Sequence, residues 1–248
     1  MIISPDGVLL QVRNSDLEPG VFFRVPAEVR VISGTAFMGC TEVTSVVILG
    51  NVEKIESGAF HHLDKLQSIS IGEGVKEIGD GAFAGTPLRR VDIPNSVTKI
   101  GKGLFLDCNN LEYANLGNGI KSVERATFFN CPSLSDIRLG NSVEVVKEGA
   151  IVNCAFAHLP IPDSVEHIEA GAIRYCKDFE GVVLSPNSNL QVTDLGNAAV
   201  DCENFDDIIF EEEDKAKSAM SLQDMIDAMQ PDVQPEIDEG EQDISLDD

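Results

Sequence analysis

Six cysteines carry most of the reactive chemistry in this 248-residue chain: Cys40, Cys108, Cys131, Cys154, Cys176 and Cys202. The gaps between them are 68, 23, 23, 22 and 26 residues, and 68 is three steps of about 23. Thiols ligate metals, pair as disulfides or attack electrophiles, and each use sets its own geometry. A zinc site wants ligands converging on a point, commonly two to four residues apart in pairs. One thiol per 23 residues makes a line instead. Stacked rungs ~4.8 Å apart lie inside the Cα range of a disulfide, but side chains that point the same way suit its torsion poorly. Two further repeats hold Leu63 and Thr86 in the same slot. The slot therefore asks for a modest buried side chain, which free cysteine supplies. The spacing predicts reduced, buried thiols.

The remaining reactive residues form no recognisable constellation. His61 and His62 fall on an outer turn, and His158 and His167 are isolated. No Ser-His-Asp order, GxSxG, HExxH or P-loop occurs. Gly72-Glu73-Gly74 and Gly79-Asp80-Gly81 sit at repeat turns and make no phosphate cradle. The expectation is a non-enzyme with no metal and no cofactor.

The cysteine period fixes a register for the elements around it. With Ile93 as position one, other copies start at Val25, Ile48, Ile71, Leu116, Leu139, Ile161 and, less regularly, Leu184. Position five holds Val29, Val52, Val75, Val97, Ile120, Val143 and Val165. Position eight holds Ile32, Ile55, Ile78, Ile100, Val123, Val146 and Ile168. Position thirteen holds Phe37, Phe60, Phe83, Phe105 and Phe128, then Ile151 and Ile173. Position nineteen holds Val43, Leu66, Leu88, Leu111, Leu134, Phe156 and Phe179. A fixed period of this length marks a solenoid, in which one turn cannot bury its apolar side alone and stacks on the next. Gly and Pro at Pro26, Gly72, Pro94, Gly117, Gly140 and Pro162 end each short strand.

The pattern resembles the BspA-like leucine-rich repeats, whose signature runs close to isoleucine-proline-x-serine-valine-x-x-isoleucine-glycine, then alanine-phenylalanine-x-x-cysteine. Asn110 to Cys131 and Ile161 to Cys176 carry those residues with few changes, and the likeness spans roughly Val25 to Phe210. It implies an α/β-type repeat solenoid of mainly short parallel strands. In this picture about eight repeats of 22–23 residues make a right-handed, curved body with a concave parallel sheet. It also implies a binding role: protein recognition, surface display or cell adhesion.

Charge narrows the partners. The formal net charge is −24. Residues 203–248 hold 17 acidic against 2 basic residues, leaving −9 on residues 1–202. Such a surface disfavours nucleic acid, which needs Lys and Arg against phosphate, and disfavours anionic membranes. No apolar run approaches the ~20 residues needed to cross a bilayer. The N-terminal stretch has neither a basic n-region nor a long h-region. The expectation is a cytoplasmic, monomeric scaffold with a protein partner. An adhesin or translocated virulence factor exported without a Sec signal is the alternative.

Alternation along a strand points positions twenty-one and twenty-three out of the concave sheet. The first row reads Ser45, Ser68, Arg90, Tyr113, Asp136, His158, Gly181 and Asp207, and the second Val47, Ser70, Asp92, Asn115, Arg138, Pro160, Val183 and Ile209. Tyr and Arg anchor interfaces, so Arg90, Tyr113 and Arg138 form the expected centre of a binding patch. Asp92, Asn115, Asp136 and His158 lie around them. Residues 1–24 read as an N-terminal cap, 25–210 as the solenoid and 211–248 as an acidic tail. Within the tail, Leu222, Met225, Ile226 and Met229 give a short amphipathic helix near 221–229. That helix either caps the last repeat or docks into a partner's groove.

Overall fold

A computed structural model describes residues 1–18, 21–185, 188, 190 and 197–205, with the backbone alone of 207–210 and 220–221. The chain winds into a β-solenoid of about eight turns. Among the described residues regular helix is nearly absent, and a 3-10 turn at Asn14–Asp16 is the one element of its kind.

Each turn has three sides. Two-residue strands at positions seven and eight make the first. Val31–Ile32, Lys54–Ile55, Glu77–Ile78 and Lys99–Ile100 run parallel in one sheet. Ser122–Val123, Val145–Val146 and His167–Ile168 continue the row in a second sheet. Strands at positions twenty-one to one make the second side, in three successive parallel sheets. These hold Phe22–Arg24 to Ser68–Ile71, Arg90–Asp92 to Asp136–Arg138, and His158–Ile161 to Asp207–Phe210. Met220–Ser221 closes the last of them antiparallel.

The third side, at positions thirteen to sixteen, is the part that periodicity did not reveal. It becomes regular strand only from the fifth full repeat on, in Phe128–Cys131, Ile151–Cys154, Ile173–Arg174 and Ala199–Val200. Earlier turns bridge the same positions with backbone bonds, such as Phe60 N–H to Ala82 carbonyl at 2.9 Å. One left-handed corner precedes this side and a second left-handed residue falls within it. Position eleven holds Gly58, Gly81, Gly103, Gly149 and Gly171, all at positive φ. Position fifteen is left-handed at Gly39, His62, Gly85, Asp107, Asn130, Asn153 and Tyr175. Close approach matters elsewhere too: a Cβ on Gly140 would run into the Gly117 carbonyl.

At the N-terminus, Ile2–Ile3 pairs antiparallel with Val8–Gln11, and Val8 and Leu9 pair with Val31 and Ile32. Leu9, Val12 and Phe23 enter the core there. The expected helix near 221–229 lies outside the described residues, apart from Ser221.

The core is a set of columns. Phe60, Phe83, Phe105 and Phe128 stack at 5.5, 5.7 and 5.6 Å between ring centroids, within 12° of coplanar. The rings then change column. Ile151 and Ile173 replace them at position thirteen while Phe156 and Phe179 replace leucine at position nineteen, 5.1 Å apart. Bulk lost in one column returns in the other, as native packing density demands. On the surface, Lys65–Glu42, Arg89–Glu112, Lys121–Glu144 and Lys147–Glu124 link successive turns. Each exposed pair is worth at most ~1 kcal/mol.

Candidate binding face

The predicted patch is brought together by strand register. Arg90, Tyr113 and Asp136 are direct neighbours across three parallel strands, as are Asp92, Asn115 and Arg138. Between each pair of outward residues one side chain points in: Val91, Ala114 and Ile137, all buried. The alternation therefore lays six polar side chains on one face over an apolar floor.

The geometry of that face is specific. The Arg90 guanidinium lies 3.8 Å from the centre of the Tyr113 ring and that of Arg138 lies 5.7 Å away. Arg90 Nε donates to Asp92 Oδ2 at 3.0 Å, which holds the guanidinium above its ordinary pKa and keeps it charged. Asn115 Nδ2 donates to Asp92 Oδ1 at 3.3 Å. Its own Oδ1 accepts from the Gly117 amide at 3.1 Å. Arg138 Nε sits 3.7 Å from Asp136 Oδ1. Two shallow depressions flank the ridge. One of about 370 Å³ is lined by Ser68, Ser70, Arg89 and Arg90. The other, of about 480 Å³, is lined by Asp136, Arg138, Pro160 and Asp163. His158 stands in the next sheet, paired across strands with Gly181 and 3.4 Å from Glu180. It is thus set apart from the hydrogen-bonded trio of strands.

The cysteines form the register of the stack. All six are free, five are buried and Cys202 is partly exposed. Cys131 and Cys154 are strand neighbours, yet each thiol turns to a carbonyl of an earlier turn. Cys108 Sγ–H donates to Phe83 O at 3.2 Å, Cys131 to Phe105 O at 3.1 Å and Cys154 to Phe128 O at 3.5 Å. Where Thr86 takes the slot, its hydroxyl donates to the Phe83 carbonyl at 2.8 Å. The slot is a donor position as well as a packing position. Burial pushes the Cys108 thiol up to about 12, far from the reactive thiolate range.

His61 and His62 lie 4.1 Å apart, ring to ring. Partial burial and then His62 hold His61 below the usual imidazole range. Among the described residues, no group of three or more His, Cys, Asp or Glu could hold a metal ion. Among those residues, too, no helix is long and apolar enough to cross a membrane.

One group of residues was missed in the sequence: Phe129, Val152, Arg174 and Tyr175 on the third side. Phe129 is 41% exposed and Tyr175 53%. A signal was present at position fifteen, where Tyr175 interrupts a column otherwise mostly Gly, Asn or Asp.

Three-sided turns of about 23 residues, a buried phenylalanine–cysteine side and an outward polar row on a parallel sheet define a leucine-rich-repeat solenoid. The chain belongs to the family described as "BspA type Leucine rich repeat region", which matches residues 30–157 and 108–220 in six copies. Repeats of this family are generally non-enzymatic, and the family match defines the chain as a repeat scaffold. Similar solved structures include a leucine-rich repeat protein from Eubacterium ventriosum, at 20% identity and TM-score 0.49, covering 71% of this chain and 41% of that one. Another, from Bacteroides ovatus, has 21% identity and TM-score 0.44, covering 77% and 64%. A leucine-rich repeat protein of T. pallidum has 26% identity and TM-score 0.42, covering 58% and 79%. This chain thus spans less than half the length of the Eubacterium protein. No curated protein sequence matches it significantly.

Proposed function

We propose that the chain is a non-catalytic scaffold that recognises another protein through the face centred on Arg90, Tyr113 and Arg138. The observation that carries this reading is the Tyr113 ring with the Arg90 and Arg138 guanidiniums 3.8 and 5.7 Å from its centre on an exposed strand row. Cation–π pairing and the Asp92 and Asp136 contacts fix three long side chains before any partner arrives. A preset surface loses less conformational freedom on binding. Affinity purification with mass spectrometry on the full chain identifies partners, and calorimetry then compares wild type with Arg90→Ala/Tyr113→Ala/Arg138→Ala. Loss of at least 100-fold in affinity, with unfolding unchanged, is expected. Unaltered affinity for every partner recovered would remove this face from the reading. Surface display of the same scaffold is the other role the family admits, and protease treatment of intact cells separates it from an internal pool.

A further inference from the structure

Position fourteen of the third side reads Met38, His61, Ala84, Leu106, Phe129, Val152, Arg174 and Val200, with Ala84 and Val152 buried and Met38, His61 and Phe129 exposed. Strand register sets Phe129, Val152, Arg174 and Val200 side by side. Next to this row lies a groove of about 230 Å³ lined by Arg125, Phe129, Glu148, Val152, Arg174 and Tyr175. Three independent observations make the groove more than an ordinary surface.

The first is exposed aromatic area, Phe129 and Tyr175 together. The second is backbone: Tyr175 has φ 55°, a conformation that bulky residues avoid. Gly39, Gly85, Asp107, Asn130 and Asn153 meet the same demand with residues suited to it, and His62 is the other large side chain at this position. Folding alone does not ask for tyrosine here. The third is an orphaned donor: Arg174 Nε is buried and has no hydrogen-bond partner among the described residues, while the guanidinium sits 5.4 Å from the Tyr175 ring. Buried donors are normally paired. Glu148, the carboxylate lining the groove, lies 3.5 Å from Arg125. Arg89, Arg90, Arg125 and Arg138 each have a carboxylate within 4 Å; among the described residues Arg13, Arg24, Arg30 and Arg174 have none, and of these only Arg174 lines the groove.

We infer that this groove is the docking site for a short segment of a partner polypeptide that places an acidic side chain beside an apolar one. The carboxylate meets Arg174, which it can engage through two parallel N–H donors. The neighbouring side chain seats on Phe129, Val152 and Tyr175. The two arginines against one glutamate make the groove a local exception to the acidic surface, and this selects the sign of the partner. It lies on a different side from the Arg90–Tyr113–Arg138 row and stands without it.

A random dodecapeptide display library, panned against the full chain, provides the test. The expected consensus pairs Asp or Glu with an aliphatic or aromatic residue. The resynthesised peptide, followed by fluorescence anisotropy, should lose at least 10-fold in affinity with Arg174→Gln and with Tyr175→Asn. The same loss should follow when the peptide's acid is changed to its amide, while the unfolding transition of each variant stays intact. No consensus, a consensus without an acid, or affinity unchanged by Arg174→Gln would overturn the inference. Two other occupants have their own readouts. Peptide binding strengthened at least 10-fold by Leu222→Ala/Met225→Ala/Ile226→Ala/Met229→Ala would assign the groove to this chain's own acidic segment. A dimer in sedimentation velocity that Tyr175→Asn dissociates would assign it to a second copy. Either result overturns the partner assignment.

Discussion

The change of aromatic column between the fifth and sixth turns makes a sharp prediction. Turn five buries Phe128 and Leu134, and turn six buries Ile151 and Phe156, all to within 1%. If the two positions share one volume, Ile151→Phe alone overfills turn six and costs ~1–3 kcal/mol. Phe156→Leu alone empties it. That loses roughly 1 kcal/mol of apolar contact at ~25 cal/mol per Å², plus a cavity contribution of similar size. Together they rebuild the turn-five arrangement and extend the Phe83–Phe105–Phe128 stack by one ring. The double variant should then be less destabilised than the sum of the singles by ~2 kcal/mol, within the range of coupled neighbours. Urea unfolding followed by far-ultraviolet circular dichroism measures all four corners of the cycle at one temperature. Strict additivity, or a double variant worse than the sum, would refute shared volume and leave the column change without a packing cause.

Other consequences follow from the same structure. Cys131→Ala removes a packed thiol and its donor to Phe105 O and should cost ~1–3 kcal/mol in urea unfolding, with partner affinity intact. Cys131→Ser, which keeps a donor, should cost less. Burial raises the Cys108 thiol from 9.0 to about 12, so the folded state holds its proton where the unfolded state releases it. That contribution is complete below pH 9.0 and falls away as pH climbs towards 12; a thiol reagent at pH 8 should label this cysteine only when denaturant is added. Tyr175→Asn relieves a left-handed backbone worth ~1–2 kcal/mol to a bulky residue and should raise the urea midpoint. A lowered midpoint would show that the ring is needed for folding.

Much of this architecture was legible because it repeats. The Val, Ile, Phe and Leu columns gave the stacking direction. Strict alternation around Val91, Ala114 and Ile137 then placed Arg90, Tyr113 and Arg138 on one face without reference to coordinates. What stayed hidden depends on backbone conformation rather than on apolar period. Strand at Phe128–Cys131 and Ile151–Cys154 is set by inter-turn bonds that run through the left-handed Asn130 and Asn153, and hydrophobic spacing does not encode those. The thiol donors to Phe83, Phe105 and Phe128 were likewise invisible, since Leu63 in the same slot made position sixteen look purely steric. Tyr175 stays hidden in the sequence because its column reads as a turn, where exposed polar residues draw no notice. Only the left-handed φ of its neighbours shows how poorly a tyrosine suits that place.

The jump of the rings from Phe128 to Phe156 also divides the chain into two sets of interchangeable parts. Within residues 48–134 one turn follows another with the same core cross-section, so a duplicated or deleted unit would meet its new neighbours on matching terms. The same holds within 151–184. Across the junction it does not, because a unit built around a position-thirteen ring would face one built around a position-nineteen ring. Lengthening or shortening of this body, in a laboratory or over generations of copying errors, should therefore accumulate on either side of that joint and spare the joint itself.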